Sequence, residues 1–71
     1  MTEEEWRSKF SKKLFEKMCA LGVNQRDLAD LAKIPDSTLS RYISGARTPK
    51  ANIVVELAKA LKCEIDELIK F

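Results

Sequence analysis

Histidine is absent from these 71 residues, and with it goes the commonest general base, proton shuttle and zinc ligand. Cysteine occurs twice, at Cys19 and Cys63, with no CxxC spacing to suggest a metal or redox site. Both cysteines sit among apolar neighbours, so buried, reduced side chains are expected. A disulfide framework would go with a secretory segment, and the chain instead opens Met1-Thr2-Glu3-Glu4-Glu5, acidic where such a segment is basic. No apolar run approaches the ~20 residues needed to span a bilayer. The expectation is a cytoplasmic protein, not an enzyme, needing no cofactor or metal and implying no small-molecule ligand. Glycine and proline, two of each, are too few to interrupt the chain often. That scarcity favours helices joined by turns of two to five residues. No alternating strand-like run of β-branched residues appears; Ile53-Val54-Val55 lies inside a helical pattern.

What is present suits a small globular unit: 45% hydrophobic and 34% charged residues, with a formal net charge of +2. The length accommodates a single domain over residues 1–71. Below ~70–80 residues one core supplies only a few kcal/mol, so a partner subunit is a reasonable expectation. The charge is unevenly spread. Glu3, Glu4, Glu5, Glu64, Asp66 and Glu67 hold six of the eleven acids near the two ends, leaving a basic stretch over residues 6–63.

Thr2 and Glu5 fit a capping box, in which hydroxyl and carboxylate each satisfy a backbone N–H at a helix start. Trp6, Phe10, Leu14, Met18 and Leu21 then recur at helical spacing and make one stripe that should end near Gly22. Arg7, Lys9, Lys12, Lys13 and Lys17 occupy the other faces. They fit a solvated surface better than a membrane-bound one, given the acidic opening. Asn24 is a good N-cap for a second helix, Gln25 to Ala32, whose inward residues are Leu28, Ala29 and Ala32. Ile34-Pro35 breaks it, since proline lacks an N–H and disfavours helical geometry in the residue before it. A third helix follows from Asp36 to Ser44, stopped at Gly45. It turns Leu39, Tyr42 and Ile43 inward and Ser37, Thr38, Ser40 and Arg41 outward. Thr48-Pro49 reads as a cap and first-turn proline for a fourth helix with Val54, Leu57, Ala58 and Leu61 as its stripe. Ile65, Leu68 and Ile69 indicate a short fifth helix with Asp66 and Glu67 near its N-terminus. The fold class expected is all-α, a compact arrangement of five helices.

Residues 24–45 form two short helices around a tight turn. Ala29 stands where the helices must approach, Ile34 plugs the turn, and Leu39 and Tyr42 anchor the second helix. Such a pair can present its second helix to a DNA major groove, where Ser and Thr bond bases or phosphates and Arg pairs with guanine. An ordinary helical hairpin in a small bundle would share the spacing.

These residues resemble the lambda-repressor-like helix-turn-helix domains, the family of phage repressors, Cro proteins and Xre-type regulators. The match runs through Leu21-Gly22-Val23-Asn24-Gln25, Leu28-Ala29, Ile34, Ser37-Thr38-Leu39-Ser40-Arg41-Tyr42, Ser44-Gly45 and Arg47-Thr48-Pro49. It continues in Leu57-Ala58-Lys59-Ala60-Leu61 and Asp66-Glu67-Leu68, covering about residues 9–70. The resemblance implies a sequence-specific regulator of transcription, a repressor of phage or mobile-element type, that binds double-stranded DNA as a homodimer on a palindromic operator. It implies that Asp36, Ser37, Thr38, Ser40 and Arg41 read bases from the recognition helix. It assigns Asn24, Gln25, Arg47 and Lys50 to backbone phosphates. Asp36 repels phosphate, so it either caps its helix, accepts from cytosine or orients Arg41. The resemblance places the dimer surface around the fourth and fifth helices, with Ile53, Val55, Ile65 and Phe71 as candidate contacts. The same four side chains could instead finish a small core.

Three features depart from the family pattern. Lys33 stands where glycine is usual, which costs ~1–2 kcal/mol if the left-handed turn is kept. Pro35 replaces a Ser/Thr cap. Met18 and Ile43 stand where many members pair an Arg with a Glu. A protein-interaction module or antitoxin-like partner-binding protein on the same fold is the alternative. The outward Ser37, Thr38 and Arg41 speak against it, since an interaction face would carry apolar or acidic groups.

Overall fold

In the computed structural model, which describes residues 1–71, five helices follow one another: α1 (Glu3–Leu21), α2 (Gln25–Ala32), α3 (Asp36–Ile43), α4 (Ala51–Ala60) and α5 (Asp66–Ile69). α1 begins with the expected capping box: the Thr2 hydroxyl accepts from the Glu5 N–H at 3.1 Å, and the Glu5 carboxylate accepts from the Thr2 N–H. Asn24 caps α2 by accepting the Asp27 N–H at 2.8 Å. α2 packs against α3 and α4, while α1 spans the back of the molecule against α3 and α5.

One termination device recurs. The chain turns left-handed at Gly22, Lys33, Gly45 and Lys62, and the N–H groups there and one residue on return to carbonyls of the preceding turn. At the end of α2, for example, Ile34 donates to Ala29 and Lys33 to Asp30. Two of the four positions are glycine, where φ near +77° is unstrained, and two are lysine, at φ 59° and 56°. The left-handed turn is therefore kept at Lys33 despite the missing glycine. At Lys62 the same geometry arises with no warning in the residue pattern.

The core gathers Phe10, Leu14 and Met18 from α1, Leu28, Ala29 and Ala32 from α2, Leu39 and Tyr42 from α3, and Val54, Leu57, Ala58, Leu61 and Leu68 from beyond. No polar or charged side chain is buried with them. Ala29 sits within the α2 crossing as expected, and Ile34 is half-buried against the core. Trp6 stacks on Phe10 at 5.1 Å and meets Phe71 edge-on at 6.0 Å.

Several sequence expectations are corrected. Leu21 falls at the end of the α1 stripe but is exposed, because the chain turns away at Gly22 before anything covers it. Cys19 is exposed, not buried: one residue beyond Met18 rotates it about 100° off the apolar stripe. Cys63 is half-buried, and burial pushes its thiol pKa up. Ile43 is half-buried, not fully inward. The connection between α3 and α4 takes residues 44–50, longer than the turns expected. Pro49 is buried outside the helix, and α4 begins at Ala51, where the Lys50 carbonyl accepts from Ile53 and Val54. No helix is long and apolar enough to cross a membrane.

Candidate nucleic-acid interface

α2, the turn 33–35 and α3 carry most of the residues singled out for DNA. Leu39 and Tyr42 seat α3 on the core, and this fixes what the helix presents. Ser37, Ser40 and Arg41, spaced three and four apart, lie exposed on one face. Thr38 is half-buried at the edge of that face, so less of it is available than its outward assignment suggested. Asp36 is exposed at the first position of α3. Arg47 is exposed in the connection after α3, and exposed Lys50 is the N-cap residue of α4, with no side-chain bond there.

Gln25 stands at the first position of α2, across the turn from Asp36. Its amide Nε2 donates to Asp36 Oδ1 at 3.0 Å and lies 3.4 Å from the Asp36 carbonyl. Asp36 therefore neither caps its own helix nor pairs with Arg41. The N–H groups of Thr38 and Leu39 go to the Pro35 carbonyl instead. Asn24 has its side-chain oxygen committed to the α2 cap, which leaves its amide N–H groups to meet an anion. The capping geometry leaves the Gln25 and Arg26 N–H groups at the open, positive end of α2.

The far end of α3 is held from α1. Arg7 Nε donates to the Gly45 carbonyl at 3.1 Å, and the Ser11 hydroxyl donates to the Ile43 carbonyl. Arg7 is itself steadied by Glu3 at 2.9 Å. These bonds fix the last turn of α3 and the start of the loop that carries Arg47. Sequence reasoning assigned Arg7 to a solvated face and passed over Ser11, because the partners lie more than thirty residues away and are backbone oxygens. Met18, two turns further along α1, is simply a core residue.

The ion pairs show where basic charge is spent. Arg7, Lys17, Lys59 and Lys70 pair with Glu3, Glu67, Glu56 and Asp66. Arg26, Arg41, Arg47 and Lys50 have no acidic partner within the chain. Cations around α2, α3 and the following loop are thus free to meet phosphate, while on α1 Arg7 and Lys17 are paired and Lys9, Lys12 and Lys13 are not. Arg26, exposed beside Gln25, is an addition that its place at a helix start could have suggested. No three His, Cys, Asp or Glu side chains cluster to hold a metal ion.

The four candidate dimer contacts divide into two kinds. Ile53 and Ile65 are half-buried and pack against the core, while Val55 is exposed on α4. Phe71 is partly exposed and leans on Trp6.

Comparison with known proteins matches this geometry. The family model described as Helix-turn-helix (HTH_3) fits residues 14–68. Among solved structures the chain is similar to the restriction-modification controller protein C.AhdI from Aeromonas hydrophila. The two share 33% identity and superpose with a TM-score of 0.82, covering 84% of this chain and 91% of that one. No curated protein matches the chain significantly in sequence.

Proposed function

The chain belongs to this helix-turn-helix family and is a DNA-binding transcriptional regulator; from that premise we propose that it works as a homodimer reading a palindromic operator, and that it represses by occupying it. The observation that carries the reading is the division of α3. Leu39 and Tyr42 fix one side in the core, and the other side offers Ser37, Ser40 and the unpaired Arg41. Inserted in the major groove, Arg41 pairs in bidentate fashion with a guanine, while Asp36, Ser37, Thr38 and Ser40 meet neighbouring base edges. Asn24 and Gln25, with the exposed start of α2, hold one phosphate, and Arg47 and Lys50 grip the backbone beyond α3.

One recognition helix reads only a few base pairs. A twofold dimer doubles the information and sets half-sites ~34 Å apart or a multiple of it. The exposed parts of Ile53, Val55, Ile65 and Phe71 would supply its apolar surface. A small single core gains most from such an added interface. The likeness to a restriction-modification controller supports a regulatory role.

Selection of bound fragments from random DNA, with sedimentation at micromolar concentration, tests the reading. An inverted repeat and twice the chain mass are expected. A motif without internal symmetry, with a single chain's mass both free and on DNA, would remove the dimer. Recovery of no motif at all would remove sequence-specific binding.

A further inference from the structure

We propose that Arg7 and Ser11 are positioning residues for DNA reading: from α1 they hold the end of α3, and through it the aim of Arg41. The inference rests on α3 being the DNA-reading helix. The last carbonyls of a helix have no partner inside it and must find one elsewhere. At the end of α3 the Arg41 carbonyl accepts from the Ala46 N–H at 2.9 Å and from the Ser44 hydroxyl at 3.1 Å. The Tyr42 carbonyl accepts from the Gly45 N–H at 3.2 Å. The Ile43 and Gly45 carbonyls are served from α1 instead, Ile43 by the Ser11 hydroxyl and Gly45 by Arg7 Nε at 3.1 Å. Glu3, Arg7 and Ser11 stand four residues apart along one edge of α1, and Glu3 holds the Arg7 guanidinium at 2.9 Å. Gly45 lets the chain pass close to that edge. Its backbone is left-handed at φ 76°, and a Cβ there would lie 3.7 Å from the Arg7 carbonyl oxygen and 3.8 Å from Ser11 Cβ.

Arg41 belongs to the stretch that these bonds close. Its carbonyl is tied forward to Ser44 and Ala46, and the Ile43 and Gly45 carbonyls within the same stretch are tied to α1. The other side-chain hydrogen bonds between elements run from Lys17 to Glu67 and from Gln25 to Asp36, so Arg7 and Ser11 alone join α1 to this end of α3 in that way. Leu39 and Tyr42 keep α3 on the core without them, and what the two donors add is the placement of its last turn. Bidentate pairing of Arg with guanine requires a fixed fork, and a reading side chain tolerates a displacement of only ~0.5 Å. With the donors removed, the two carbonyls turn to water, the last turn loosens and Arg41 loses its single aim. Ser11 carries no charge and spends its hydroxyl proton on Ile43, so its influence on DNA passes through α3.

The test compares wild type, Ser11→Ala and Arg7→Met for affinity to the selected operator, to its base substitutions at the Arg41 step and to random duplex. Thermal melts fix a temperature at which every variant is folded. Both variants should lose the guanine preference at that step several-fold, and Ser11→Ala should bind random duplex as the wild type does. In an Arg41→Ala background Ser11→Ala should change operator affinity no further, because the two residues act through one contact. Without DNA, amide exchange at Ala46 should be faster in Ser11→Ala than in the wild type. The proposal falls if both variants melt lower yet keep the guanine preference, the behaviour of a purely structural tie. It falls equally if Ser11→Ala costs as much affinity with Arg41 replaced as with Arg41 present. A loss in Arg7→Met shared by all sequences, with the salt slope reduced by about one, would make Arg7 a phosphate contact and overturn its positioning role. An Arg41→Ala variant that keeps every base preference would overturn the reading of α3 on which the proposal rests, a result distinct from the others.

Discussion

Lys33 and Lys62 hold left-handed backbone geometry that costs a residue with a Cβ roughly 1–2 kcal/mol, partly offset on substitution by glycine's own loss of chain freedom. Lys33→Gly should therefore raise stability by up to about 1 kcal/mol, measured by urea denaturation, with no loss of DNA affinity. An unchanged or lower midpoint would show that its side chain offsets the strain. The caps at Thr2 and Asn24 and the glycine turns at Gly22 and Gly45 were legible because their chemistry is local. Side chain and backbone partner lie within a few residues of each other. The Gln25 amide on Asp36, eleven residues away, was not legible in the same way. Both residues could be assigned to a DNA face from the family resemblance. Only the folded turn shows that they bond to each other, and that Asp36 is not Arg41's partner.

Helices were read from apolar spacing, and each of the five is present, since a stripe at three- and four-residue intervals is a property of the element itself. Their ends were less secure where packing competes with local preference. Pro49 has the local chemistry of a first-turn residue, yet its burial holds it outside α4, which starts two residues later without a side-chain cap. Links between elements were the least legible. Lys17 on α1 donates to Glu67 on α5 at 2.8 Å, and the other Glu67 oxygen accepts the Glu64 N–H at 2.8 Å, tying the short last helix to the long first one. The bond to Lys17 lowers the Glu67 pKa below its ordinary 4.5, and the bond to Glu67 raises that of Lys17 above 10.5. A lowered carboxylate pKa contributes stability above pH 4.5 that is lost as pH falls through the folded value. The raised lysine contributes below pH 10.5 and loses its share as pH rises beyond it. Glu67→Gln should therefore lower the thermal midpoint modestly at pH 7, with the gap from wild type closing in acid below pH 4.5. A gap independent of pH would show that the carboxylate's charge contributes nothing.

Over the whole molecule, the net charge of +2 conceals its own arrangement. Ion pairs hold Arg7 and Lys17 on α1, Lys59 on α4 and Lys70 just after α5, while Arg26, Arg41, Arg47 and Lys50 around α3 have no acidic partner. Affinity for DNA should fall steeply with salt. Arg47→Ala should reduce the slope of log K against log salt by about one and weaken binding to all sequences alike, because a phosphate contact carries no base information. An unchanged slope would take Arg47 out of the interface. Arg41 should behave differently, and on that difference the account of α3 as the reading helix stands. The decisive measurement is the affinity of wild type and Arg41→Ala for the selected operator and for random duplex at one salt concentration. Arg41→Ala should lose ~1–3 kcal/mol on the operator, far less on random DNA, and relax a single base position. Equal losses on both duplexes, with every base preference intact, would contradict it.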